Sequence, residues 1–86
     1  MIVFVFSNIA EKKFQKLENE TQQKIRLKLE SLKNRRNIFT VLRKLVGLAP
    51  ATHRLRVGDF RVILQKISSQ KFLILDVGHR REIYKI

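Results

Sequence analysis

The chain has 86 residues, of which 44% are hydrophobic, and carries 19 Lys and Arg against seven Asp and Glu, a formal net charge of +12. This length provides for one small domain with a single core, and the lack of cysteine excludes disulfides and thiolate zinc sites. Scattered carboxylates argue against a metal centre, and no apolar run approaches the roughly 20 residues that cross a bilayer, so we expect a soluble cytoplasmic protein without a membrane partner. A positive field of this size attracts polyanions, of which nucleic acid is the usual one.

The N-terminal half has the pattern of one strand followed by two helices. The segment Ile2–Phe6 is β-branched and aromatic throughout, which predicts a strand that is central or buried on both faces. Ser7 and Asn8 are candidate caps for a helix running to about Glu18. A second helix is predicted from about Gln22 to Asn34. Each helix has one apolar stripe, so the two should form a hairpin packed on a sheet.

The C-terminal half has the pattern of an antiparallel meander. An apolar cluster at residues 38–45 fits neither helix nor strand clearly, and turn residues follow it. Gly58-Asp59 is a two-residue turn signal inside a hairpin from Thr52 to about Ile67. A third strand, Phe72–Val77, and a short extended tail complete the order β-α-α-β-β-β. We therefore predict one α+β domain over residues 1–86, a helical hairpin on a small antiparallel sheet.

The two faces of the predicted hairpin differ in chemistry. Side chains alternate along a strand, so a turn at Gly58-Asp59 pairs Val57 with Phe60 and puts the apolar residues on one side. That side comprises His53, Leu55, Val57, Phe60, Val62 and Leu64. The other side carries Arg54, Arg56 and Arg61. Arginine is suited to bidentate phosphate binding, so this second face is the candidate functional surface.

The same counting extends the basic face to the end of the chain. If Leu73, Leu75 and Val77 point to the helices, then Arg80, Glu82 and Tyr84 join the arginines, unless a bulge at Gly78 shifts the register. Tyr84 offers a ring for base stacking. The alternative is a structural ion pair between Arg61 and Asp76.

Three segments carry a resemblance to a known family: LRKLVGLAP (42–50), HRLRVGDFRVIL (53–64) and DVGHRREIY (76–84). After a β-α-α start they resemble the RelE/ParE toxin superfamily of type II toxin–antitoxin modules, the RelE branch above all. The resemblance implies a RelE-like toxin domain that enters the ribosomal A site and cuts mRNA, with the RNA 2′-OH as nucleophile. It implies neither metal nor cofactor, and a cognate antitoxin as partner besides ribosome and mRNA.

The resemblance also implies roles for individual residues. Arg61 clamps the phosphate, Arg80 lies at the leaving 5′-oxygen, Tyr84 stacks on a base, and Arg54 and Arg56 complete a cationic cradle. These cations stabilise the charge that develops on phosphorus.

The general base is the open role. Relatives often have lysine where this chain has Arg54 and Thr52, and arginine does not readily release a proton. Glu82 and His79 are the candidates, because both titrate within reach of physiological pH. His79 and Arg81 are further RNA-binding candidates.

Two other functions remain open. A ParE-type toxin shares the fold but binds DNA gyrase without catalysis. A catalytically inactive nucleic-acid-binding domain is the third reading.

Overall fold

The computed structural model describes residues 1–83, which form five strands and three α-helices. The elements are β1 (Val3–Phe6), α1 (Asn8–Gln15), α2 (Asn19–Leu32), a 3-10 helix (Ile38–Thr40), β2 (Arg43–Lys44), β3 (His53–Val57), β4 (Phe60–Ser68), β5 (Lys71–His79) and α3 (Arg80–Ile83). Within this part of the chain no helix is long and apolar enough to span a membrane.

The strands form one sheet in the order β1-β5-β4-β3-β2. β1 pairs with β5 in parallel, and the other neighbours pair antiparallel. The predicted α+β class is confirmed, with a mixed sheet in place of a purely antiparallel one. The sheet is mixed because the helical hairpin separates β1 from the later strands along the chain. The strand that pairs with β1 is β5, and it runs in the same direction as β1.

The prediction that the first strand is central or buried on both faces is wrong. β1 is an edge strand, and Val3 and Val5 are 48% and 39% exposed. Phe4 and Phe6 on its other face pack against the core. A uniformly apolar sequence does not show which face of the strand is exposed, because β-branched and aromatic residues are common on both faces of a strand.

The two helices cover one face of the sheet. Ser7 caps α1, since its hydroxyl accepts a hydrogen bond from the Ala10 N–H at 3.1 Å. The link between the helices lies about three residues earlier than predicted, because α1 ends at Gln15 and α2 begins at Asn19. The Gln22 side chain donates to the carbonyl oxygens of Gln15 and Leu17, at the end of α1 and in the link. That amide satisfies carbonyls which the end of α1 leaves unpaired.

A single apolar cluster joins helices and sheet. Its buried members are Ile2, Ala10, Phe14, Ile25, Leu29, Leu32, Ile38, Leu42, Leu55, Val62, Leu64, Phe72, Ile74 and Val77. The segment 38–45, which the sequence pattern did not assign, forms the 3-10 helix and β2 and adds Ile38 and Leu42 to this core. The core therefore rests on the sheet face opposite the arginines.

The register of β5 differs from the simple alternation. Ile63 pairs with Asp76 and Leu64 with Ile74, so Leu75 is the extra residue of a bulge. Phe72, Ile74 and Val77 point into the core; of the predicted inward set, Val77 is right and Leu73 and Leu75 are wrong. The bulge lies before Gly78 rather than at it.

The predicted extended tail is also wrong for the described residues. Arg80–Ile83 is a helical turn, and the buried Ile83 lies over Gly78, where a Cβ added to the glycine would stand 3.4 Å from the Ile83 Cδ1. Counting by twos therefore does not apply to Arg80 and Glu82. Tyr84 lies outside the described residues.

Candidate nucleic-acid interface

The hairpin of β3 and β4 has the predicted register. Val57 pairs with Phe60, Arg56 with Arg61 and Leu55 with Val62. Gly58 has φ of +60°, a left-handed conformation that suits glycine in the turn. Because the apolar partners are buried against the helices, the arginines of both strands project from the opposite face.

Arg61 is held by the backbone of the turn beside it. Its Nη1 donates to the carbonyl oxygens of Gly58 at 3.0 Å and Phe60 at 2.9 Å. Burial lowers the pKa of Arg61, and the positive charges of Arg56, Arg54 and Arg80 lower it further. The crowding of like charges means that an anion bound here would relieve repulsion as well as form hydrogen bonds.

The alternative ion pair between Arg61 and Asp76 does not form. The Asp76 carboxylate instead contacts the Lys13 ammonium at 2.9 Å and accepts from the Val77 N–H at 2.8 Å. Arg61 is thus oriented by neutral carbonyl groups, and its charge remains available.

The helical turn α3 is docked on the hairpin turn. The Arg80 N–H donates to the Asp59 carbonyl oxygen at 2.7 Å, and the Arg80 Nε lies 3.9 Å from an Asp59 carboxylate oxygen. The Arg81 N–H donates to His79 Nδ1 at 3.1 Å. These contacts bring Arg80 and Arg81 to the face that carries Arg54 and Arg61.

Asp59 therefore has a role that sequence reasoning missed. The turn signal predicts a local hydrogen bonder, whereas the residue joins two segments distant in sequence. No local pattern reveals this contact, because it depends on where the end of β5 meets the hairpin turn.

The four arginines enclose a cleft of about 440 Å³, lined by Arg54, Arg61, Arg80 and Arg81, which we call the four-arginine cleft. Among residues 1–83, no carboxylate belongs to its lining. Guanidinium groups keep their charge and present fixed donors that match phosphate oxygens. The cleft therefore has the chemistry of a phosphodiester site.

The other predicted site residues lie around this cleft rather than in it. Arg56 is exposed and lines a different groove, together with Lys24 and Lys28 of α2. His79 and Glu82 line a separate cleft of about 490 Å³ between the helical hairpin and the ends of β4 and β5. The structure thus gathers the arginines and places the two predicted bases elsewhere.

Solved structures of known proteins share this fold. The RelE–RelB toxin–antitoxin complex of Escherichia coli matches with a TM-score of 0.70 at 23% identity, over 92% of this chain and 96% of the other. The RelB–RelE complex of Methanococcus jannaschii has a TM-score of 0.70 at 22% identity, covering 94% and 95%. The isolated E. coli RelE toxin has a TM-score of 0.69 at 24% identity, covering 99% and 93%. At these identities the likeness establishes the fold of small RelE-type toxins.

A family model makes the assignment more specific. The model of the ParE toxin of type II toxin–antitoxin systems (parDE) matches residues 4–84. The chain belongs to this family, and with it to the RelE/ParE toxin superfamily that the sequence motifs indicated. No curated protein matches the chain.

Proposed function

We propose that this toxin is a ribosome-dependent endoribonuclease that cuts mRNA in the A site and so stops translation in the cytoplasm. The observation that carries the proposal is the four-arginine cleft, whose lining within residues 1–83 has four guanidinium groups and no carboxylate. A protein that acts only by binding gyrase has no need of such a phosphodiester site.

The residues supply the chemistry of an internal transesterification. The RNA 2′-oxygen attacks the adjacent phosphorus, and the bond from phosphorus to the 5′-oxygen breaks. The 5′-oxygen takes up a proton from water, so the products are a 2′,3′-cyclic phosphate and a 5′-hydroxyl. Arg61, oriented by the turn carbonyls, binds the non-bridging oxygens, and Arg80 stabilises the leaving 5′-oxygen. Arg54 and Arg81 add positive charge to the cleft, and Tyr84 is proposed to stack on a base.

The proton of the 2′-OH requires a separate group. A guanidinium with a pKa above about 12 does not accept it, so Glu82 and His79 stay as the proposed bases. Both line the neighbouring cleft, His79 as the last residue of β5 and Glu82 two residues after Arg80 in α3. The pH dependence of the cleavage rate in Glu82→Gln and in His79→Gln distinguishes the two candidates. In the variant that lacks the true base, the rate should no longer rise with pH on the acidic side of the profile.

The decisive experiment is mRNA cleavage on programmed ribosomes, mapped by primer extension. Wild type should cut within the A-site codon and leave free RNA intact. Arg80→Ala should lower the rate by about 10²- to 10³-fold, as loss of one preorganised donor does, and Tyr84→Ala should lower it as well. Lys12→Ala, on the exposed surface of α1, is the control and should cleave like wild type.

We also propose a cognate antitoxin as partner. The E. coli and M. jannaschii relatives are toxin–antitoxin complexes, and the net charge of +12 favours an acidic or amphipathic segment that neutralises the arginines. Co-expression with the neighbouring open reading frame should abolish the cleavage.

A second candidate function is supported by the family model itself, which describes a ParE toxin. A ParE-type protein that binds DNA gyrase would remain toxic without cutting mRNA, and it would stall gyrase on DNA. That outcome would replace the endoribonuclease proposal.

A further inference from the structure

A second basic pocket lies across the sheet edge from the four-arginine cleft. Its volume is about 560 Å³, and its lining is Phe39, Leu42, Lys44, Leu45, Thr52, His53 and Lys66. Lys44 pairs with His53, and His53 packs among the rings of Phe39 and Phe72, so the pocket opens on the helix side of the sheet. We call it the Lys44–Lys66 pocket.

The charge of this pocket is not offset by nearby acids. No carboxylate of residues 1–83 lines it, and residues 31–58 contain no Asp or Glu at all. The basic residues of that stretch are Lys33, Arg35, Arg36, Arg43, Lys44, Arg54 and Arg56. Neither Lys44 nor Lys66 takes part in any of the ion pairs found within the described part of the chain. Both ammonium groups are available to an anion.

The pocket also offers a surface for a planar group. Phe39 is 44% exposed, and the Lys66 Nζ lies 5.2 Å from the centroid of its ring. His53 contacts the Thr52 hydroxyl through Nδ1 at 2.9 Å, and its ring forms part of the pocket wall beside Phe39. An aromatic ring beside two lysines is the combination that holds a nucleobase together with its phosphate.

The pocket and the four-arginine cleft are connected through β2. Arg43 pairs with Arg54, and the next residue, Lys44, pairs with His53. Consecutive Cα atoms are about 3.8 Å apart, and their side chains point to opposite sheet faces. β2 is an edge strand of the sheet. A polynucleotide that crosses this edge would contact Arg54 and Arg43 on one face and Lys44 on the other, so positive side chains line its whole path.

We propose that the Lys44–Lys66 pocket binds a nucleotide of the RNA that flanks the segment in the four-arginine cleft. Lys44 and Lys66 bind its phosphate, and its base stacks on Phe39 in place of the Lys66 ammonium. The continuity of positive charge around the edge, together with the exposed Phe39, favours RNA, which carries a phosphate at every nucleotide and a base that can stack on the ring. The inference rests on the proposed function, since it extends the path of the same RNA.

The test compares two RNAs that lack the nucleophile. A fluorescein-labelled 2′-O-methyl trinucleotide fills only the four-arginine cleft, and a decanucleotide reaches the pocket as well. Fluorescence anisotropy gives the affinity of each for wild type and for Lys44→Gln/Lys66→Gln. The control Lys12→Gln/Lys71→Gln removes the same charge from exposed lysines elsewhere, and thermal melts verify that both variants fold.

We expect wild type to bind the decanucleotide more tightly than the trinucleotide. The pocket variant should lose on the order of tenfold in affinity for the decanucleotide, with a salt slope smaller by about 1, and should bind the trinucleotide as wild type does. The control variant should lose less than about twofold, because neither Lys12 nor Lys71 lines the pocket and exposed charges are screened.

Two outcomes overturn the inference. One is a wild type that shows no preference for the longer RNA; the other is a pocket variant that binds both RNAs like wild type, as it would if the pocket held a peptide of the antitoxin. The ribosome assay on the same preparations separates the two proposals. Wild-type cleavage together with either outcome refutes only the pocket, whereas absence of wild-type cleavage refutes the proposed function.

Discussion

Arg61 is placed by its own backbone rather than by an acidic partner. Two carbonyl oxygens at 3.0 and 2.9 Å hold Nη1, and the remaining donors of the guanidinium are left for a ligand. A carboxylate partner would orient the group equally well but would cancel its charge. This arrangement orients the cation and preserves the attraction for phosphate, which is what stabilisation of a developing negative charge requires.

Asp59 is predicted to act as a positioning residue through Arg80. Asp59→Ala removes a carboxylate 3.9 Å from the Arg80 Nε while the backbone contact between the residues persists. Exposed ion pairs of this kind are worth about 0.2–1 kcal/mol, so kcat for mRNA cleavage should fall about threefold. KM should stay unchanged or fall, because the cleft becomes more positive. A raised KM with an unchanged kcat would contradict the assignment.

His53 should make stability depend on pH. Burial lowers the pKa of His53, and the charges of Lys66 and Lys44 lower it further. The unfolded chain then binds a proton below about pH 6.5 that the folded protein resists. Stability from this group is therefore complete above that pH, declines as pH falls through it, and stops declining below the lowered folded pKa.

Thermal melts between pH 5 and 7.5 check this prediction. The Tm of wild type should fall as the pH is lowered to 5. The Tm of His53→Gln should fall less over the same pH range, even if the variant has a lower Tm at every pH. His79→Gln removes the other histidine and should retain the fall. Equal slopes in wild type and His53→Gln would show that His53 does not contribute.

At the scale of elements, the N-terminus of α1 depends on one side chain. Ser7→Ala removes the acceptor for the Ala10 N–H and a contact of the hydroxyl with the Leu75 carbonyl oxygen. The free energy of unfolding should fall by about 1 kcal/mol. For a domain of this size, that loss lowers the Tm by about 4–8 °C. The control is Ser31→Ala, because the Ser31 hydroxyl donates to the Lys28 carbonyl oxygen on the exposed face of α2. An equal loss there would argue against a capping effect.

The helical turn α3 is the element that completes the site. Its four residues bring Arg80 and Arg81 beside the β3–β4 hairpin, and Ile83 anchors it over Gly78. An extended continuation of β5 would have alternated these side chains between the two faces of the sheet. The turn instead lets two consecutive arginines line one cleft.

At the scale of the molecule, the excess of positive charge should make RNA binding strongly dependent on salt. Each neutralised phosphate of a single strand contributes about −0.7 to the slope of log K against log salt. Four guanidinium groups in the cleft therefore predict a slope of about −3 for a non-cleavable RNA, measured by anisotropy between 50 and 300 mM salt. A slope near zero would mean that the arginines do not contact phosphate.

Local pattern alone determined the two helices, the β3–β4 hairpin and the apolar and arginine faces. These features follow from side-chain periodicity and from the turn at Gly58, which depend only on residues near one another in the chain. The superfamily was indicated by the resemblance of three segments to known family members, and the family model over residues 4–84 bears it out.

Tertiary structure decided the rest, because it depends on contacts between segments distant in sequence. The edge position of β1 results from its parallel pairing with β5 across both helices. The bulge at Leu75 and the turn of α3 fix which residues of the last strand meet the hairpin. This contact between the end of β5 and the hairpin places Arg80 and Arg81 beside Arg54 and Arg61. It also places His79 and Glu82 in the neighbouring cleft.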